Sequence, residues 1–209
     1  MSKTINLLAI FALFMVTFLN SSNIIAQGTI RSVKIGKQVW MVENLNVKRF
    51  RNGDLIPEAK TNKEWEKAGM ENKPAWCYYH NDPVNGKKYG KLYNWYAVNN
   101  KKGLAPKGWH IPSLAEFQTL GVSVSGNENA LKTIGQGTGT NTSGFSALLA
   151  GFRNFYNDFD ELHSTTYFWS STAENTTSAH TLGLHYDFSH FSIISSGKEM
   201  GFSVRCLKD

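Results

Sequence analysis

The chain has few cysteines. Only Cys77 and Cys206 occur in 209 residues, so at most one internal disulfide can form. No HExxH, CxxC or His-x-His motif is present, and the six histidines (His80, His110, His163, His180, His185 and His190) give no recognisable zinc set. His180, His185 and His190 are five residues apart, and a step of five along one strand changes face. They could converge only across a hairpin. The glycine-rich run "GQGTGTNTSG", residues 135–144, is neither a strand–GxGxxG–helix unit nor followed by Gly-Lys-Ser/Thr. That excludes a recognisable phosphate cradle. No internal repeat and no Pro-rich or Ser-rich linker divides the chain. Like charges do not run in blocks: "KK" occurs only at 87–88 and 101–102.

What is present begins with a leader. Lys3 precedes an apolar run from Ile5 to Leu19, broken only by Asn6 and Thr17, and "NSSN" and Ala26 follow. This is the layout of a secretory signal, and the run is shorter than the ~20 apolar residues of a spanning helix. Cleavage after Ala26 is expected, leaving a mature chain of residues 27–209 with no further membrane span. That length suffices for one domain with its own core. Six Trp, eight Tyr and thirteen Phe are far too many aromatics for a disordered chain. Residues 28–110 carry 16 Lys/Arg against 7 Asp/Glu, net +9, whereas residues 111–209 carry 5 against 9, net −4. Scattered lysines on an exported chain read as a solvated surface rather than a nucleic-acid footprint.

Patterning predicts an α+β fold, with short helices in the first half and a twisted antiparallel sheet mainly in the second. "RSVKIGKQVWM" alternates on both sides of Gly36-Lys37, a hairpin signal. "TNKEWEKAG" is a helix that Thr61 or Asn62 can cap and Gly69 can end. "AWCYYHNDPVNGKKYG" reads as a strand entering a turn-rich loop, and "KLYNWYAVNN" as a helix. In "PKGWHIPSLAEFQTL" the segment up to Pro112 is extended. Ser113 and Glu116 then form a capping box for a helix whose stripe is Leu114, Phe117 and Leu120. A weaker helix covers 128–134. Strands are expected at 145–153, 166–172, 179–187, 191–195 and 201–207.

Five phrases in order carry a family resemblance: "KIGKQVWMVENLNV", "YGKLYNWYAVNN", "GLAPKGWHIPSLAEF", "FWSST" and the terminal "GFSVRCLKD". Together they resemble the Fibrobacter succinogenes major paralogous domain of exported Bacteroidetes and Fibrobacteres proteins. The resemblance runs from about Val33 to Asp209. It implies a C-type-lectin-like fold, distantly similar to formylglycine-generating enzymes, but no assigned activity. The active-site cysteine pair of those enzymes does not carry over, since Cys206 stands alone near the end of the chain. Family members with a "GLCP" motif carry Cys where this chain has Ala105.

These readings lead to an exported, non-catalytic binding or surface-interaction module for a glycan or another envelope component, with a degenerate or unrecognised enzyme related to the formylglycine-generating group as the alternative. No catalytic residue, cofactor or metal is assigned. His110 is expected to be scaffolding, donating to a nearby carbonyl and fixing the chain ahead of the helix. Two long loops, 135–144 and 154–165, should carry any ligand. In the second, "NFYNDFDELHST", the expected contacts are Tyr156, Asn157 and Asp158. Aromatic faces stack on sugar rings, and amides and carboxylates take hydroxyls. Phe155 and Phe159 could equally plug the loop onto the core. Asp158, Asp160 and Glu161 are the carboxylates that could hold calcium. In an oxidising compartment Cys77 and Cys206 could pair, closing 129 residues for about 4–5 kcal/mol. Two buried free thiols are the alternative, and the disulfide is the expectation taken forward.

Overall fold

Gly36 takes φ +59, a backbone region open to glycine, and turns β1 (Ser32–Ile35) back on β2 (Gln38–Met41) in antiparallel register. The computed structural model describes residues 30–209, so the leader and its cleavage position lie outside the described residues. Along the chain follow α1 (Asn62–Met70), β3 (Trp76–Cys77), α2 (Pro83–Tyr89), β4 (Leu92–Tyr93), α3 (Trp95–Val98), β5 (Trp109–His110) and α4 (Leu114–Ser123). The second half holds β6 (Ala150–Arg153), β7 (Phe159–Leu162), β8 (Thr165–Ala173), β9 (Ser178–His185), β10 (Ser192–Gly197) and β11 (Leu207–Lys208). Residues Arg31–Asp209 cluster as one compact unit. Among the described residues no helix is long and apolar enough to cross a membrane.

The α+β class expected from patterning is what the structure has, in three sheets. One is ordered β1-β2-β11-β5, one β10-β9-β8-β6-β7, and β3 pairs with β4. The large sheet is antiparallel except where β6 meets β8 in parallel, Gly151 opposite Thr166. In the first sheet Leu207 pairs with both Trp40 and His110. The main core lies between these layers. Trp40 stacks on Phe117 at 5.7 Å and meets Phe145 edge-on at 5.6 Å, and Phe168, Leu182 and Leu184 close the cluster. A smaller cluster joins Trp65, Cys77, Tyr79 and Leu92.

Several expected elements are shorter or different. "KLYNWYAVNN" is not one helix. Leu92 and Tyr93 form β4, and Asn94, whose side chain accepts from Ala97 N, starts α3 as its cap. The turn-rich "NDPVNGKKYG" is α2. Asp82 caps it through Val84 N, Pro83 occupies its first turn, and Gly90 ends it at φ +78, the arrangement that places Pro inside a helix start and Gly just past its end. The strand expected over 145–153 is confined to β6, because Ser146 at φ +58 breaks the extended run. The strand expected over 201–207 forms only single bridges, Phe202 to Tyr93, Gly201 to Arg153 and Ser203 to Phe168, before β11. This segment is threaded between sheets rather than lying in one. Gly201 makes the passage possible: a Cβ there would lie 2.9 Å from both Arg153 Cβ and the Trp65 ring. The expected loop 154–165 contains β7, which forms a hairpin with β6.

Candidate functional site

His110 sits on β5 beside the start of α4. The capping box formed as expected: Glu116 N donates to Ser113 Oγ, and Ser113 N donates to Glu116 Oε2 at 2.7 Å. The partner expected for His110, a backbone carbonyl, is wrong. Its Nε2 lies 2.9 Å from Glu116 Oε1 and its Nδ1 lies 2.8 Å from Asp209 Oδ1. Only an imidazolium can donate to both. Partial burial alone would lower its pKa, but the hydrogen bonds and charges of Asp209 and Glu116 outweigh that and hold it above the ordinary value. Burial would raise Glu116, but the Ser113 and His110 hydrogen bonds hold it down. Both ring nitrogens are thus occupied by structure, and the group clamps β5, β11 and α4 together.

The hairpin tip between β6 and β7 carries the expected ligand residues. Phe155 and Tyr156 are 57% and 69% exposed, with ring centroids 3.9 Å apart. Asn157 takes φ +70 and its N–H donates to the Asn154 carbonyl, so it shapes the turn. Asp158 is exposed, and its N–H donates to Asn154 Oδ1 at 3.0 Å. The tip is anchored from below by Arg153, fully buried, which donates from Nε to the Asn157 carbonyl at 3.2 Å and from Nη2 to Asn62 Oδ1 at 2.7 Å. Its guanidinium lies 4.8 Å from the rings of both Trp65 and Phe159. Phe159 therefore does plug the hairpin onto the core, whereas Phe155 does not. A groove of about 330 Å³ separates the tip from α1, with Trp65, Glu66, Met70, Phe155, Asn157 and Glu199 among its lining. Of the acids considered for calcium, Asp160 accepts from Asn154 Nδ2 at 2.5 Å. Among the described residues no three His, Cys, Asp or Glu side chains are grouped to share a metal.

A second recess, of about 310 Å³, lies between the C-terminal turn of α2 and the 133–148 segment. Asn44 and Arg205 line it, together with Lys87, Lys88, Thr133 and Ser146. Gly90 allows its close walls, since a Cβ there would stand 3.0 Å from Asn44 Cβ and from the Leu45 carbonyl oxygen.

The family model described as the Fibrobacter succinogenes major domain matches residues 33–208. The chain belongs to this family. The match runs from within β1 to the end of β11, so the Fibrobacter succinogenes major domain here is nearly all of the compact unit. No curated protein and no solved structure matches the chain.

Within this domain the expected Cys77–Cys206 disulfide is not formed, and both cysteines are free and buried. Cys77 belongs to the smaller cluster beside Trp65, with Arg153 as its polar neighbour. Cys206 lies in the threaded segment, where its carbonyl accepts from Met41 N at 3.0 Å. Burial pushes both thiols up to about 12, so neither offers a thiolate near neutral pH.

Buried cations were the feature that sequence reasoning missed. Among the described residues Lys91, Lys132, Arg153, Lys198 and Arg205 are buried, against one buried acid, Glu128. Lys132 pairs with Glu128 at 3.3 Å and also donates to the His185 and Phe188 carbonyls. The others are held by neutral oxygens and aromatic faces. Lys198 donates to the Asn175 and Thr176 carbonyls over Trp95. Lys91 donates to Asn46 over Trp76, and burial lowers it to about 8. A lysine or arginine flanked by aromatics, as in "RNFYNDF" or "YGKLYNWY", was the available signal.

Proposed function

We propose that this domain is an exported, non-catalytic binding module acting in the periplasm, at the cell surface or in the medium. The hairpin tip at 154–158 and its groove against α1 take a glycan. The observation that carries this reading is the exposed Phe155–Tyr156 pair on a turn anchored by a buried arginine. Large aromatics left in water on a rigid support are characteristic of binding surfaces, because their area is gained only when a partner covers them. Glu66, Asn157 and Glu199 beside them supply acceptors and an amide for sugar hydroxyls. A C-type-lectin-like build fits this use: short helices and the C-terminal sheet hold the core, and the connecting turn carries the exposed side chains. The alternative, an enzyme related to the formylglycine-generating group, draws no support from two thiols pushed to about 12.

The test is a glycan screen on the whole chain, with and without calcium, followed by the double variant Phe155→Ser/Tyr156→Ser. Asn157 is left in place because its positive φ would strain most replacements. The expected result is binding by the wild type and its loss in the variant, with an unchanged folded spectrum. A screen with no hit in either condition, or a hit untouched by the variant, would refute the glycan reading. For export, N-terminal sequencing of secreted material should begin at Gln27.

A further inference from the structure

The recess between α2 and the 133–148 segment is lined by four cations, Arg31, Lys87, Lys88 and Arg205, against one acid, Glu43. Arg31 and Glu43 pair with each other at the rim, with both side chains exposed. The remaining positive charge therefore faces the cleft without an internal counter-ion. Arg205 is the unusual member. It is 2% exposed, yet among the described residues no carboxylate lies within ion-pair distance of it. Its guanidinium is held by neutral partners. Nε and Nη2 donate to Asn44 Oδ1 at 3.2 and 2.6 Å, and Nη1 donates to the Phe145 carbonyl. The rings of Phe145 and Phe168 lie 4.3 and 5.2 Å from it.

A guanidinium has five N–H donors. The three recorded bonds leave one N–H on each terminal nitrogen without a protein acceptor among the described residues. Two adjacent donors on a fixed plane match the spacing of two oxygens of a carboxylate, phosphate or sulfate. Asn44 cannot turn away to serve another ligand, because its own amide donates to the Tyr89 carbonyl and Ser203 Oγ. The guanidinium is therefore held by Asn44 and packed against the neighbouring Phe145 and Phe168 rings. Burial depresses Arg205 to about 9, and the more distant Glu43 offsets this only in part. An anion in the cleft would supply the rest. Lys87 and Lys88 stand exposed on the last turn of α2. They favour that helix end as cations, and from the same place they flank the opening above Arg205.

We propose that this cleft is a binding site for an oxyanion group on a small polar molecule, with Arg205 gripping two oxygens and Lys87 and Lys88 closing over the third side. The cleft volume lies at the low end of the ~300–1,000 Å³ of small-molecule sites, which suits a single headgroup or sugar unit rather than a polymer lying across the surface. The site is separate from the hairpin tip, which contributes no residue to its lining.

The experiment is calorimetric titration of the whole chain with inorganic phosphate, glucuronate, glucose 6-phosphate and, as the neutral control, glucose. At least one anionic probe should bind, glucose should not, and affinity should fall as salt is raised. Phosphate binding as well as glucose 6-phosphate assigns the site to a phosphate group alone, and glucuronate binding best assigns it to a sugar acid. Lys87→Ala/Lys88→Ala, chosen because both side chains are exposed, should leave the folded spectrum unchanged and weaken binding about tenfold. The Phe155→Ser/Tyr156→Ser variant should bind the anion as the wild type does, which keeps this site distinguishable from the glycan surface. Failure of all three anions, equal binding of glucose, or unchanged binding in the lysine double variant would overturn the proposal.

Discussion

Two cations flank the last strand, and the protein holds them in opposite ways. Arg205, two residues before Leu207, is buried without an acid and rests on an amide, a carbonyl and two phenyl rings. His110, whose backbone pairs with Leu207, is half-exposed and lies between two carboxylates. The first arrangement keeps its charge over the whole physiological range and depends on packing. The second depends on protonation. The difference shows where this fold is rigid and where it is responsive to pH. Neutral oxygens and aromatic faces secure Arg205 and most of the interior cations, with the buried Lys132–Glu128 pair as the exception, whereas His110 takes its acid partners where solvent can reach.

Arg205→Ala should produce the largest effect on this comparison. It removes the group packed against Phe145 and Phe168 and leaves Asn44 Oδ1 and the buried Phe145 carbonyl without their donor, for an expected loss of about 3–5 kcal/mol. Urea denaturation measures it, and a loss under about 1 kcal/mol would mean that the arginine is not held as described. Ser113→Ala follows. It removes the cap that accepts Glu116 N and one of the two bonds by which Ser113 holds the Glu116 carboxylate, costing about 1 kcal/mol. The acid-held cation should then show itself by pH. His110 is raised in the folded state, so its contribution is full below the unfolded value of about 6.5 and is lost as pH rises through the raised folded value. Glu116 is lowered, so its contribution is present above its ordinary value and is lost as pH falls through the depressed one. Solvent screening limits the histidine part to under about 1 kcal/mol. Denaturation midpoints from pH 6 to 9 should decline in the wild type and flatten in His110→Gln, and an identical slope in both would remove the clamp from the account. The smallest expected effect is that of reductant. With Cys206 free beside Arg205, dithiothreitol should leave the midpoint unchanged and denatured protein should alkylate at two sites. A disulfide over that loop would instead contribute about 4–5 kcal/mol.

The capped helices were legible because their signals are local. Thr61 and Ser113 each formed the expected cap, with Glu64 and Glu116 three residues on. The β1–β2 hairpin and β8 to β10 followed from alternation. α2 was missed although Asp82-Pro83 and Gly90 mark its two ends, because its short sequence is rich in residues that also make turns. The 201–205 segment was misread because its neighbours, Tyr93, Arg153 and Phe168, come from three distant parts of the chain, and no local pattern encodes them. The same holds for the candidate sites. Tyr156 and Asp158 stood out by composition and are exposed on the tip, and Asn157 turned out to be needed by the turn itself. The Arg205 cleft was invisible because an arginine in "GFSVRC" carries no sign that it will be buried opposite Lys87.

The threaded segment also sets an order of events for a chain made from one end. Met41 and Leu45 wait for the carbonyls of Cys206 and Val204, Tyr93 pairs with Phe202, and Trp40 faces Leu207. A chain emerging residue by residue can form α4 and the β1–β2 hairpin early, but it cannot seal its interior until residues 201–207 have arrived. Contacts of such long sequence separation are slow to form. The nascent polypeptide therefore keeps an unsealed interior until that segment has emerged, and it locks only once β11 has paired with β2 and β5.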